Sequence, residues 1–114
     1  MNDILKTYPV QRYEWEEKNE LITVLVKKPL NLIEKVFFRK MLNKPFRIDL
    51  DKVGSFVWKN CTGDKTVGEI VQLCKEEFGD EVEPAEERVK LFIEQLNKNR
   101  MIQLFMKVSD NNSV

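Results

Sequence analysis

The stretch LDKVGSFVWKNCTGDKTVGEIVQLCKEEFG, residues 50–79, carries several helix start and stop signals in close succession. It can fold only into short helices joined by tight turns. Asp51 is placed to cap a first helix by accepting from free backbone N–H groups, and Val53, Phe56, Val57 and Trp58 supply its buried side. Gly63 is expected to end it. Thr66 and Glu69 form a T-x-x-E capping box for a second helix, with Ile70, Val71, Leu73, Cys74 and Phe78 as its apolar face and Gly79 as its stop. Gly54 and Gly68 then each fall in a first turn, where the cap anchors the helix and close approach of neighbouring backbone offsets glycine's entropic cost. A third helix is predicted from Pro84, a favoured first-turn residue. Glu86 and Glu87 complement its dipole, and it continues through Val89, Phe92, Ile93 and Leu96 to Asn99.

Upstream, RYEWEEKNELITVLV alternates aromatic and acidic residues, passes Lys18-Asn19 and turns β-branched, which reads as a hairpin. Tyr13 and Trp15 share one of its faces; Ile22, Val24 and Val26 share a face on the return strand. FRIDLD alternates again, with Phe46, Ile48 and Leu50 inward and Arg47 and Asp49 outward, as a third strand. Between them, PLNLIEKVFFRKMLNKP repeats Leu30, Ile33, Phe37 and Met41 at helical spacing and carries Lys35, Arg39 and Lys40 on the other side. MIQLFM reads as a final short extended segment. The expected fold is α+β: a winged helix-turn-helix with a three-stranded antiparallel sheet and three core helices, plus an inserted basic helix. It is expected as one domain over residues 1–108, with the insertion at 30–43 and a disordered tail at 109–114.

The chain contains no histidine, which removes the commonest general base and metal ligand. There is no paired nucleophile and base, no phosphate-binding glycine loop and no metal-ligand spacing, so neither catalysis nor a cofactor is expected. Cys61 and Cys74 lie on apolar faces of predicted helices and are expected to be buried and reduced. With no cleavable signal and no apolar run of spanning length, a cytoplasmic protein is expected, as a monomer or weak dimer. Net charge is zero, but its distribution is uneven: residues 27–47 hold seven basic residues against Glu34 alone, and residues 49–94 hold twelve acidic against six basic. The basic helix has three readings: a cover for the hairpin, a docking surface for an acidic partner through Lys35, Arg39 and Lys40, or a contact with anionic lipid.

Leu50, Asp51, Gly54, Trp58, Gly63, Thr66, Val67, Glu69 and Ile70, followed by VKLFIEQLNKNRMIQL, resemble the PqqD family, the pyrroloquinoline quinone biosynthesis protein D group. Its members are also called RiPP recognition elements, after ribosomally made, modified peptides. The resemblance runs in order over residues 10–105. It departs in two places: the family's glycine near the end of the third helix is Arg100, so that Asn99 is expected to take the left-handed turn, and the basic helix is an insertion.

The resemblance implies peptide binding. A precursor's leader peptide would add as a strand beside Phe46, Arg47, Ile48, Asp49 and Leu50 and lie in a groove whose other wall carries Arg88, Leu91 and Gln95. A modifying enzyme, typically a radical S-adenosylmethionine protein, would then act on the presented peptide. Strand addition suits an edge that offers unpaired N–H and C=O groups. Two other readings stand beside it. Arg47 is also an ordinary edge charge that deters aggregation, and the whole chain also reads as a structural adaptor without a leader peptide. A winged helix can instead bind DNA, but Glu83, Glu86 and Glu87 at the leading end of the third helix would face phosphates of like charge.

Overall fold

The computed structural model describes residues 3–26 and 46–107. A 3-10 turn (Ile4–Lys6) leads into β1 (Tyr8–Gln11), β2 (Glu14–Lys18), β3 (Leu21–Val26) and β4 (Phe46–Asp49). Then come α1 (Lys52–Lys59), α2 (Val67–Phe78), a second 3-10 turn (Gly79–Val82), α3 (Ala85–Lys98) and β5 (Ile102–Phe105). The expected basic helix, with Lys35, Arg39 and Lys40, and the expected tail lie outside the described residues.

The hairpin and third strand form an antiparallel three-stranded sheet in the order β2-β3-β4. Asn19 and Glu20, at φ 53° and 69°, make the two-residue turn between β2 and β3; positive φ at both positions matches the twist of a tight hairpin. Ile22 and Val24 on β3 are fully buried and join Val57, Trp58, Ile70, Val89, Ile93 and Leu96 in one core. The Trp58 indole N–H, fully buried, has no hydrogen-bond partner among the described residues.

The caps form as the residues dictate. Asp51 Oδ1 accepts from the Gly54 N–H at 2.7 Å, and both halves of the Thr66/Glu69 capping box are made. Gly79, at φ 59°, caps α2. A β-carbon on Gly68 would stand 3.3 Å from the Leu5 carbonyl oxygen, so this glycine admits the backbone of the N-terminal turn.

Several expectations are corrected. α1 ends at Asn60, not Gly63; Gly63 (φ 90°) instead shapes the following loop, where its N–H donates to the Pro9 carbonyl. Pro84 sits at the cap of α3, one residue earlier than the first turn, and Glu83 Oε1 accepts from the Ala85 N–H. Phe92 lies half-buried at the margin of the core, as do Val53, Phe56 and Phe78, and Leu73 is half-buried. Arg100, not Asn99, is left-handed (φ 60°). The Met101 N–H donates to the Leu96 carbonyl and the Arg100 N–H to that of Asn97, a Schellman closure that requires the left-handed residue one position beyond Asn99.

The polar start conceals a strand. β1 pairs antiparallel with β5 in a second, two-stranded sheet, Tyr8 opposite Phe105 and Gln11 opposite Ile102. Its other flank is sewn to the α1–α2 loop: the Gln11 N–H donates to the Cys61 carbonyl, and Val10 bridges Thr62.

Candidate functional site

β4 pairs with β3 on one side, Val24 opposite Ile48 and Val26 opposite Phe46. The Leu50 N–H donates to the Ile22 carbonyl at 2.8 Å, which fixes the phase of the ladder. Antiparallel pairs alternate between those that exchange backbone hydrogen bonds and those that do not. Leu50, Ile48 and Phe46 therefore bond inward to β3. The N–H and C=O groups of Arg47 and Asp49 point away from β3, and no strand among the described residues pairs with them.

Ser55 closes this ladder. The Ile22 N–H donates to Ser55 Oγ at 2.8 Å, and the hydroxyl donates in turn to the Leu50 carbonyl at 3.3 Å. The serine is fully buried and stands in for a ladder bond where the chain leaves β4 for α1. Nothing in the sequence pattern marked it, because its partner Ile22 is distant along the chain.

The two faces of β4 differ. On the outer face Arg47 Nη2 donates to Glu16 Oε1 at 2.9 Å, and Thr23 Oγ1 donates to Asp49 Oδ1 at 2.7 Å; all four side chains are at least partly exposed. On the inner face Ile48 is 37% exposed, although Val24, directly opposite it, is wholly buried. The expectation that Ile48 points inward is thus right in register and wrong in burial. Among the described residues the core takes in β3 and Leu50 but leaves Ile48 partly open.

α3 approaches the exit of β4 through Phe92. A β-carbon on Gly54 would stand 3.2 Å from Phe92 Cζ and 3.5 Å from Leu50 Cβ, so the Phe92 flank of α3 adjoins the exit of β4. Arg88 and Gln95 lie four residues before and three after Phe92, and Leu91 lies beyond them on the same flank. Arg88, Leu91 and Gln95 are exposed, Leu91 by 57%. Arg88 is partly committed, since its Nη1 donates to the Glu81 carbonyl at 2.8 Å. The structure brings Ile48 and Leu91 to the open sides of β4 and α3 and holds Arg88 back toward the turn before α3.

A concavity of about 450 Å³ lies at the other sheet between Tyr8, Gly63, Asp64, Phe105, Met106 and Lys107. It carries no nucleophile or base pair. Cys61 and Cys74 are free and fully buried; burial pushes their thiols up to about 12 and about 11, so both stay protonated. Among the described residues no His, Cys, Asp and Glu cluster could hold a metal ion.

The family model for coenzyme PQQ synthesis protein D (PqqD) matches residues 43–102, more than half of the chain. The chain belongs to the PqqD family. The matched span contains β4, all three helices and the start of β5, and therefore both sides of the candidate site; the β2–β3 hairpin lies outside it. No curated protein and no solved structure matches the chain. The PqqD family is a peptide-binding partner in the biosynthesis of pyrroloquinoline quinone and modified peptides, and its members are non-catalytic accessory proteins. No helix among the described residues is long and apolar enough to cross a membrane.

Proposed function

We propose that this chain is a peptide-binding chaperone that takes up the leader of a ribosomal precursor peptide as an added strand on β4. It then presents the peptide to a modifying enzyme, a radical S-adenosylmethionine protein being the expected partner. On this reading the hairpin is the wing of a winged helix-turn-helix formed by α1, α2 and α3. The observation that carries the reading is the edge at Arg47 and Asp49: outward backbone groups beside an apolar residue, Ile48, left exposed on the inner face. Main-chain pairing there supplies affinity, and the apolar side chains of Ile48 and Leu91 supply contact area. The peptide-binding surface comprises Phe46 to Leu50 with Leu91 and Gln95, and Arg88 at its margin. Lys35, Arg39 and Lys40 are the proposed docking surface for an acidic partner, on sequence alone.

The test is titration of candidate leader peptides, taken from short reading frames neighbouring the gene for this chain, into isotopically labelled protein. Amide signals of residues 46–50 and 85–95 should move together. Shifts confined to other surfaces, or none at saturating peptide, would overturn the reading.

A further inference from the structure

Strand addition on β4, if the proposed function holds, constrains the sequence of the incoming strand. We infer that the peptide segment seated against β4 reads basic, apolar, acidic from its N- to its C-terminus. Among the described residues the unpaired backbone groups on this edge belong to Arg47 and Asp49, so residues of the added strand opposite these two would exchange hydrogen bonds with them and lie about 5.5 Å away, Cα to Cα. Their side chains fall on the outer face, beside Arg47 and Asp49. The residue between them falls on the inner face, beside Ile48 and toward the Leu91 flank of α3.

Each outer-face charge has capacity left. The Arg47 guanidinium has five N–H donors and directs one nitrogen at Glu16, leaving donors for a carboxylate arriving from the edge. Among the described residues Asp49 receives Thr23 at Oδ1 and nothing at Oδ2, which can take an incoming cation. Both pairs within this sheet are antiparallel, and antiparallel ladders are slightly the more stable per residue. An antiparallel peptide passes Asp49, Ile48 and Arg47 in that order, hence basic, apolar, acidic. Opposite charges directly across a ladder attract and like charges repel, so order matters and not only composition.

The other edge of this sheet does not offer the same code. By the same alternation, β2 points the backbone groups of Trp15 and Glu17 outward, but Trp15 Nε1 donates to Gln11 and Glu17 accepts from Lys59. On its outer face Glu14 and Glu16, a like-charged pair, flank the apolar Trp15, whereas the opposite charges Glu16 and Lys18 flank Glu17 and not an apolar residue.

The experiment is display selection of random twelve-residue peptides on the whole protein, repeated on the charge-swapped variant Arg47→Glu/Asp49→Lys. Sequences enriched on the unaltered protein should share a basic–apolar–acidic triplet; those enriched on the variant should show acidic–apolar–basic. One enriched peptide and its charge-reversed counterpart are then synthesised. The first should bind the unaltered protein about tenfold tighter, about 1.4 kcal/mol, and the variant should reverse this preference. Amide spectra of both proteins confirm folding and locate the peptide. Enriched peptides that shift residues 47–50 without a preferred charge order, or with the reverse order, would overturn this inference and leave strand addition standing. Enriched peptides whose shifts miss β4, or the absence of any enrichment, would overturn strand addition and the inference together.

Discussion

The ring of Phe92 ends over Gly54: a β-carbon there would stand 3.2 Å from Phe92 Cζ and 3.0 Å from the capping Asp51 Oδ1. One missing side chain thus lets the α1 cap form and lets α3 approach the exit of β4. Gly54→Ala gains up to about 1 kcal/mol of helix propensity but must displace both the cap and the ring. Loss of a cap costs about 1 kcal/mol and overpacking about 1–3 kcal/mol. Net destabilisation of about 1–3 kcal/mol is expected, measured by denaturant unfolding, and an increase in stability would show that the ring yields freely.

Ser55→Ala should cost more than its size suggests. The substitution removes one oxygen and leaves the buried Ile22 N–H without its partner, an unsatisfied donor worth about 1–3 kcal/mol. Hydrogen exchange at the Ile22 amide should accelerate beyond the change at Val57 or Ile93. Equal acceleration at all three would indicate general loosening only.

Arg100→Gly should stabilise the protein. Arg100 is held at φ 60°, where a side chain costs about 1 kcal/mol and glycine costs nothing, and its exposed guanidinium makes no hydrogen bond or ion pair among the described residues. A rise of several degrees in Tm is expected in thermal unfolding. No rise would mean that the unfolded chain's gain in entropy cancels the relief of strain.

Stability should fall in mild alkali because of the thiols. Cys61 is raised to about 12 and Cys74 to about 11 by burial, above the ordinary thiol value of 9.0. The folded state holds these protons more tightly than the unfolded chain. Their contribution is intact below the unfolded value and is lost as pH rises toward the folded values, by up to about 1.4 kcal/mol per pH unit for each thiol. Unfolding free energies at pH 8 and pH 10 should differ less for Cys61→Ala than for the unaltered protein. An identical pH slope would rule out this linkage.

Three substitutions separate binding from folding at the β4 edge. Leu91→Asp alters a side chain already 57% exposed and should leave Tm nearly unchanged. If the bound peptide covers it, the buried carboxylate should weaken affinity by about 2 kcal/mol, roughly thirtyfold. Arg47→Pro deletes an outward N–H and should weaken peptide binding at small cost to the fold, since edge strands accommodate proline. Ile48→Pro deletes an N–H bonded to β3 and should lower stability by at least about 1 kcal/mol. Calorimetric titration beside thermal melts distinguishes them; equal loss of stability for both prolines would mean that the ladder phase is wrong.

Signals that act within a few residues were legible in the sequence. Asp51 reaches Gly54, Thr66 and Glu69 reach each other, and Gly79 turns the chain out of α2, all through bonds spanning four residues or fewer. The alternation in β3 and β4 likewise fixed which residues share a face, because strand side chains alternate whatever they pack against. Those patterns, with the family motif, located the strand and helix of the candidate site. How deeply a face is covered depends on elements far along the chain, and there the tertiary structure decided. It left Ile48 open opposite a buried Val24, set Phe92 at the core's margin over Gly54, and drew the first described strand against the last. Ser55 became a ladder bond only because Ile22 and Leu50 converge on it from separate segments. Periodicity names a face, but the neighbouring segments determine whether that face becomes core or remains free to bind.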